Sequence, residues 1–141
     1  MPYATQADIL LQLDEEVLIG LTDDAGVGSV NAATVTRAIS DADAEIDAYC
    51  GTRYDVPFSA ATPIIRKLSV DIAIYNLFIR RQTAPDERKE RYDNAVRFLK
   101  DVSKGAASLG ENEPEAADDD GPRASRAASD RIFSQTTLEN Y

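Results

Sequence analysis

Apolar residues recur every three or four positions over residues 32–50, a spacing that places their side chains on one face of an α-helix. Asn31 stands directly before this run, where an N-cap is needed, and Gly51 follows it, where a helix commonly ends. The pattern therefore predicts an amphipathic helix over Ala32–Cys50.

A second long helix is predicted from Pro63 to about Arg81, because Thr62 can cap it and proline is favoured in a first helical turn. Apolar residues surround this helix on nearly every side. One stripe contains Ile64, Leu68, Ile72, Tyr75 and Ile79, and the other side carries Val70, Ile74 and Leu77. A helix of this kind is enclosed, either by the core alone or by the core together with a subunit interface.

Shorter signals complete the predicted body. Thr5 and Asp8 form a capping box for a helix ending near Gln12, and Asp14 can cap a helix over Glu15–Leu21. Thr22–Asn31 is predicted to be a loop. Pro85 precedes a third long helix over Asp86–Ser103, which Gly105 ends. Between the first two long helices, residues 52–61 predict an extended, partly buried connection, because the residue before Pro57 is driven away from helical geometry.

From Gly105 the composition changes to small, acidic and polar residues, which is typical of a flexible tether. The tether ends in the apolar and aromatic residues Ile132, Phe133, Leu138 and Tyr141. We therefore predict a mainly α fold: a compact bundle of about three main helices with short N-terminal helices and an extended segment around residues 52–60. The domains are a helical body over residues 1–104 and an acidic tether over residues 105–141 that ends in a short strand-like docking arm.

The formal charge of −10 is unevenly distributed along the 141 residues. Residues 1–60 carry a net −9, residues 61–104 carry +4, and residues 105–141 carry −5. Such a dipolar body could pair head to tail with copies of itself, or the charges could form an ordinary solubilising surface. The acidic total argues against sequence-reading DNA binding, which requires a basic patch.

Few residue types suited to catalysis are present. The chain has no histidine and a single cysteine, Cys50, so the usual nucleophile–base pairs and zinc ligand sets are missing. Asp43 and Asp47 lie on one flank of the predicted apolar stripe and Asp41 and Glu45 on the other, so the four acids cannot converge on one metal pair. We expect a protein that is not an enzyme, binds no cofactor and has neither a signal peptide nor a membrane span.

An ordered series of motifs resembles the Mu-type phage head–tail joining proteins, often described only as a domain of unknown function. The motifs are MPYATQAD at residues 1–8, AISDADAEIDAY at 38–49, RYDVPF at 53–58, DIAIYNL at 71–77 and RIFS at 131–134. They span nearly the whole chain, with the acidic tether as the variable part.

The resemblance implies a structural subunit of the virion neck, made in the host cytoplasm. It implies a homo-oligomeric ring of about twelve copies between the portal and a tail-side neck protein, with DNA passing through the lumen without sequence-specific binding. The terminal arm could add as a strand to an edge at Thr52–Phe58 of a neighbour. The suspected interface residues are Arg53, Tyr54, Val56, Phe58, Ile74, Leu77, Ile132, Phe133, Leu138 and Tyr141.

Two other functions stay open. The chain could be a cytosolic helical adaptor or regulator whose C-terminal arm binds a protein partner. A carboxylate-dependent, magnesium-dependent nucleotide hydrolase is the less favoured alternative.

Overall fold

Five α-helices form in the order that the sequence pattern predicts, in a computed structural model that describes residues 1–110. They are α1 (Gln6–Leu10), α2 (Glu15–Thr22), α3 (Ala32–Cys50), α4 (Pro63–Arg80) and α5 (Asp86–Lys104). No strand forms within residues 1–110. The predicted mainly α fold is confirmed, whereas the predicted strand-like arm lies outside the described residues. None of these five helices is long and apolar enough to cross a membrane.

Local capping determines where most of the helices begin. The Thr5 hydroxyl accepts the backbone N–H of Asp8 at 3.3 Å, and the Asp8 carboxylate accepts the backbone N–H of Thr5 at 2.8 Å, so the predicted capping box is present. Asn31 accepts two N–H groups from the first turn of α3, and Thr62 accepts one from the first turn of α4. Asp14 precedes α2 without a side-chain cap.

The three long helices pack as a bundle in which α4 runs antiparallel to both α3 and α5. For α3, Ser69 on α4 reaches Asp43 near the middle of α3, whereas Arg80 at the end of α4 lines a groove with Thr34 at the start of α3. For α5, Ile64 at the start of α4 and Phe98 line one groove, whereas Asp71 farther along α4 faces Arg91, nearer the start of α5. Ile46, Ile72 and Leu99, one from each long helix, are fully buried at the centre. The core therefore lies where the apolar faces of the three long helices meet.

The short helices and the loop after them are joined to the end of α4. Arg80 donates to the carbonyl oxygen of Leu21 at 3.1 Å, and Arg80 and Arg81 both pair with Asp24. The Asp23 carboxylate accepts the backbone N–H of Gly28 at 2.7 Å. The predicted loop over residues 22–31 is thus an ordered turn structure that ties α2 to the bundle.

The core continues past the helix that was predicted to end the body. Gly105 adopts a left-handed conformation with φ of 81° and terminates α5. The chain then turns back, and Leu109 is only 4% exposed within the core. Leu109 and, in part, Ala107 therefore pack against the body, although the sequence pattern assigns both to the tether.

Candidate assembly surface

Residues 52–58, which connect α3 to α4, are held against the C-terminal end of α5. Arg53 donates from Nη1 to the carbonyl oxygen of Val102 at 3.3 Å, and Thr52 donates from Oγ1 to that of Ser103 at 3.4 Å. A cation at the carbonyl end of a helix is favourable because the helix dipole is negative there. The segment consists of turns and bends, so it offers no strand edge of the kind that the predicted arm would need.

Aromatic rings anchor this connecting segment from the inside. The ring centroid of Phe58 lies 5.8 Å from that of Tyr3 and 6.0 Å from that of Tyr54, in edge and tilted arrangements that aromatic pairs favour. The Tyr54 hydroxyl accepts the backbone N–H of Leu109 at 3.2 Å. One end of the bundle therefore brings together the N-terminal residues, the segment over residues 52–58 and the residues that follow α5.

A polar network beside these rings fastens the N-terminal residues to α3. The Tyr3 hydroxyl donates to Asp47 Oδ1 at 2.5 Å and accepts the backbone N–H of Phe58 at 2.9 Å. The backbone N–H of Tyr3 donates to Asp43 Oδ2 at 2.9 Å, and the Ser69 hydroxyl donates to Asp43 Oδ1 at 2.6 Å. Asp43 and Asp47 thus bind donors from other parts of the chain.

Burial changes the acidity of two groups in this network. It raises the pKa of the Asp43 carboxyl above its usual range, against the opposing effect of the Ser69 and Tyr3 hydrogen bonds. The pKa of the Tyr3 phenol is also raised, first by burial and then by its hydrogen bond to Asp47. Both shifts disfavour the ionised form of the group in the folded chain.

Glu45, a third acid of α3, also has a hydrogen-bond partner. Glu45 accepts the hydroxyl of Tyr92 on α5 at 3.0 Å, and the Tyr92 ring stacks on that of Tyr75 at 4.1 Å. Across residues 1–110 no three or more Asp, Glu, Cys or His side chains are arranged to hold a metal ion. The described geometry therefore gives Asp43, Asp47 and Glu45 structural partners.

The suspected interface residues fall into three groups. Ile74 and Leu77 on α4 are 0% and 1% exposed, and Tyr54 is 6% exposed, because the chain's own helices cover them. These three side chains are buried within the subunit itself and present almost no surface to a neighbouring one, so an interface role for them stays a prediction. Arg53, Val56 and Phe58 are half-buried and retain accessible surface. Ile132, Phe133, Leu138 and Tyr141 lie outside the described residues.

Four apolar side chains are exposed that the sequence analysis did not single out as exposed. Leu11 is 84% exposed, Leu10 36% and Val17 40%, all on or beside the two short helices. Ile79 is 47% exposed in the last turn of α4, although its position on the predicted stripe assigned it to the core. The adjacent residues Leu10 and Leu11 could have indicated this exposure from the sequence, because neighbouring side chains on a short helix point in different directions.

Comparison with known proteins identifies the family. A family model described as Bacteriophage Mu, Gp36 matches residues 3–127. The chain belongs to the phage Mu Gp36 family. A curated relative, "Mu-like prophage FluMu protein gp36" from Haemophilus influenzae, is 31% identical over 108 residues, which cover 77% of this chain and 75% of the relative. The Gp36 match includes all five helices and Tyr3, so the resemblance to a Mu-type phage family is confirmed.

Proposed function

We propose that this Gp36-family chain is a structural subunit of a homo-oligomeric ring of about twelve copies that joins a phage or prophage portal to the tail. The observation that carries the proposal is the separation of charge along the chain. Residues 1–60, which form α1 to α3, carry −9, and residues 61–104, which form α4 and α5, carry +4. Two segments of opposite net charge suit the unlike, heterologous contacts that close a ring.

The described surface supplies apolar contacts to accompany this charge pairing. Leu11, Val17 and Ile79 are exposed, and protein interfaces generally place such side chains at their centre with charged residues at the rim. Arg53 and Phe58, from the predicted interface, present half-buried surface at the end of the bundle. These side chains are the proposed contacts with neighbouring copies, the portal and a tail-side neck protein.

The net charge of −10 supports a channel through which DNA passes without sticking. Phosphates bind proteins chiefly through lysine and arginine contacts, and an acidic wall repels them. The proposed location is therefore the virion neck, with assembly from subunits in the host cytoplasm. In this role the chain needs neither a catalytic centre nor a cofactor.

Cryo-electron microscopy of the virion neck, together with native mass spectrometry of the chain mixed with its portal protein, tests the proposal. We expect a closed ring on the portal, and weaker assembly at high salt because screening reduces attraction between exposed charges. Arg97→Glu reverses an exposed charge on α5 and should weaken the ring. Arg123→Glu makes the same change outside the described body and serves as the matched control. A neck without this chain, or a monomer that binds a host protein instead, would overturn the ring.

A further inference from the structure

A groove of about 240 Å³ runs between α4 and α5 on the surface of the bundle. Its floor is apolar and includes Ile64 and Leu68 from α4 and Phe98 from α5. Ile64 and Phe98 are only half-buried, so the floor presents accessible apolar surface. The exposed Asn94 lies on its α5 side. A groove between two helices with an apolar floor is suited to a peptide segment that carries large apolar side chains.

One end of the groove holds a buried carboxylate whose hydrogen bonding is incomplete. The Asp71 side chain is 1% exposed, and its Oδ2 accepts from Lys67 Nζ at 2.7 Å. Its Oδ1 has no hydrogen-bond donor within residues 1–110; Arg91 Nη1 lies 4.0 Å away and donates instead to Gln12, while Nη2 pairs with Glu87. An unsatisfied buried acceptor is costly, so a donor that reaches this end of the groove is stabilised.

Net charge favours the approach of residues beyond the described body to α4 and α5. Residues 111–141 carry a net −5, and of the two halves of the body only residues 61–104 are basic, at +4. The acids of this segment lie in residues 111–120, which carry −6, whereas residues 121–141 carry +1. Residues 111–120 are therefore attracted towards α4 and α5 and repelled by residues 1–60, at −9, which keeps the residues that follow them near these two helices. The large apolar residues of the segment begin with Ile132 and Phe133, directly after Asp130 and Arg131.

The groove is also within reach. Leu109 is fixed to Tyr54 at the C-terminal end of α5, and Asn94 lies ten residues before Lys104 on that helix, or about 15 Å at the helical rise. The nineteen residues 111–129 are more than enough to cover this distance, because an extended chain advances up to about 3.3 Å per residue. Attachment to the same chain gives the segment an effective concentration in the millimolar range.

We propose that the groove between α4 and α5 binds residues 130–133 of the same chain. Ile132 and Phe133 cover the apolar floor, and Arg131 supplies the donor that Asp71 Oδ1 lacks. Arg91 then pairs with Asp130. The predicted docking arm thus has its acceptor in its own subunit and not in a neighbour's strand edge. Neither the groove nor its test depends on ring formation.

Paramagnetic relaxation enhancement in the full chain tests this directly. A nitroxide is attached at Ser134→Cys; Cys50 does not compete, because it is 0% exposed and burial raises the pKa of its thiol to about 11. We expect selective loss of the amide signals of Lys67, Asn94 and Phe98, while that of Thr34, which lines a different groove, is retained. The matched label at Ser125→Cys lies outside the proposed docking residues and should give weaker losses in the groove.

Variants within the segment separate docking from chance proximity. Replacing Ile132 and Phe133 together by alanine should restore the groove signals, whereas Gln135→Ala should not. The exposed Asn94→Glu, which adds a like charge beside Asp130, should also restore them. Equal losses over all surfaces, losses that survive the double replacement, or losses transferred to an unlabelled ¹⁵N chain mixed with a spin-labelled ¹⁴N chain would overturn the proposal. The last result would place the segment in a second copy.

Discussion

The Tyr3 hydroxyl connects the N-terminal residues to both α3 and the segment over residues 52–58, so Tyr3→Phe tests how strongly that connection stabilises the fold. The substitution keeps the ring and its edge contact with Phe58 at 5.8 Å. It removes a donor to Asp47 at 2.5 Å and the acceptor of the Phe58 N–H at 2.9 Å.

Each lost hydrogen bond should cost about 1 kcal/mol, because Asp47 is half-buried and regains some solvent contact. The free energy of unfolding should therefore fall by about 2 kcal/mol, which corresponds to roughly 8–16 °C in Tm for a body of this size. Urea denaturation of the full chain at neutral pH, followed by circular dichroism, measures the free energy.

Tyr92→Phe is the matched control for this substitution. It removes a single hydrogen bond, from the Tyr92 hydroxyl to Glu45 at 3.0 Å, and should cost about 1 kcal/mol. If Tyr3→Phe costs no more than Tyr92→Phe, the hydroxyl does not join the N-terminal residues to the bundle, and the packing of the ring and the backbone hydrogen bond to Asp43 hold them.

Three further substitutions probe other parts of the body. Because burial raises the pKa of Asp43, the folded chain binds its proton more readily than the unfolded chain. The stability of the wild type should therefore fall relative to Asp43→Asn as pH rises from the ordinary carboxyl pKa through the raised one, and parallel pH profiles in urea unfolding would contradict this. Leu109→Ala should cost about 2–3 kcal/mol in the same assay and the exposed Ser108→Ala far less, whereas equal small costs would place residue 109 outside the core. Leu11→Ser should leave the free energy of unfolding within about 0.5 kcal/mol of the wild type but weaken self-association in sedimentation velocity, and unchanged association would exclude Leu11 from the interface.

Local signals along the chain were sufficient to predict the helices. Asn31 caps α3 at the predicted residue, Thr62 and Pro63 begin α4, and Gly105 ends α5. Each of these signals acts on backbone groups within a few residues, so both partners of the interaction can be read from a short stretch of sequence.

Contacts between distant residues could not be predicted in the same way. Tyr3 binds Phe58 and Tyr54 binds Leu109 across 55 positions in each case, and no periodicity encodes such pairs. The apolar pattern of α4 likewise could not tell whether the core alone or the core and a neighbouring subunit would cover the helix. The pattern showed that Ile74 would be enclosed, but only the packed bundle shows that the chain's own helices enclose it. The groove between α4 and α5 could not be predicted either, because its shape depends on how the faces of these two helices pack against each other.

The segment over residues 52–58 binds residues near both ends of the described body, through the Tyr3 hydroxyl and the Leu109 N–H. Ends that are fixed in this way do not fray independently, so they belong to the same cooperative unfolding unit as the centre of the bundle. A pulling force applied beyond Leu109 passes through Tyr54 and Phe58 to Tyr3, and not along α5 alone. The subunit should therefore resist mechanical load as one body and give way in a single step.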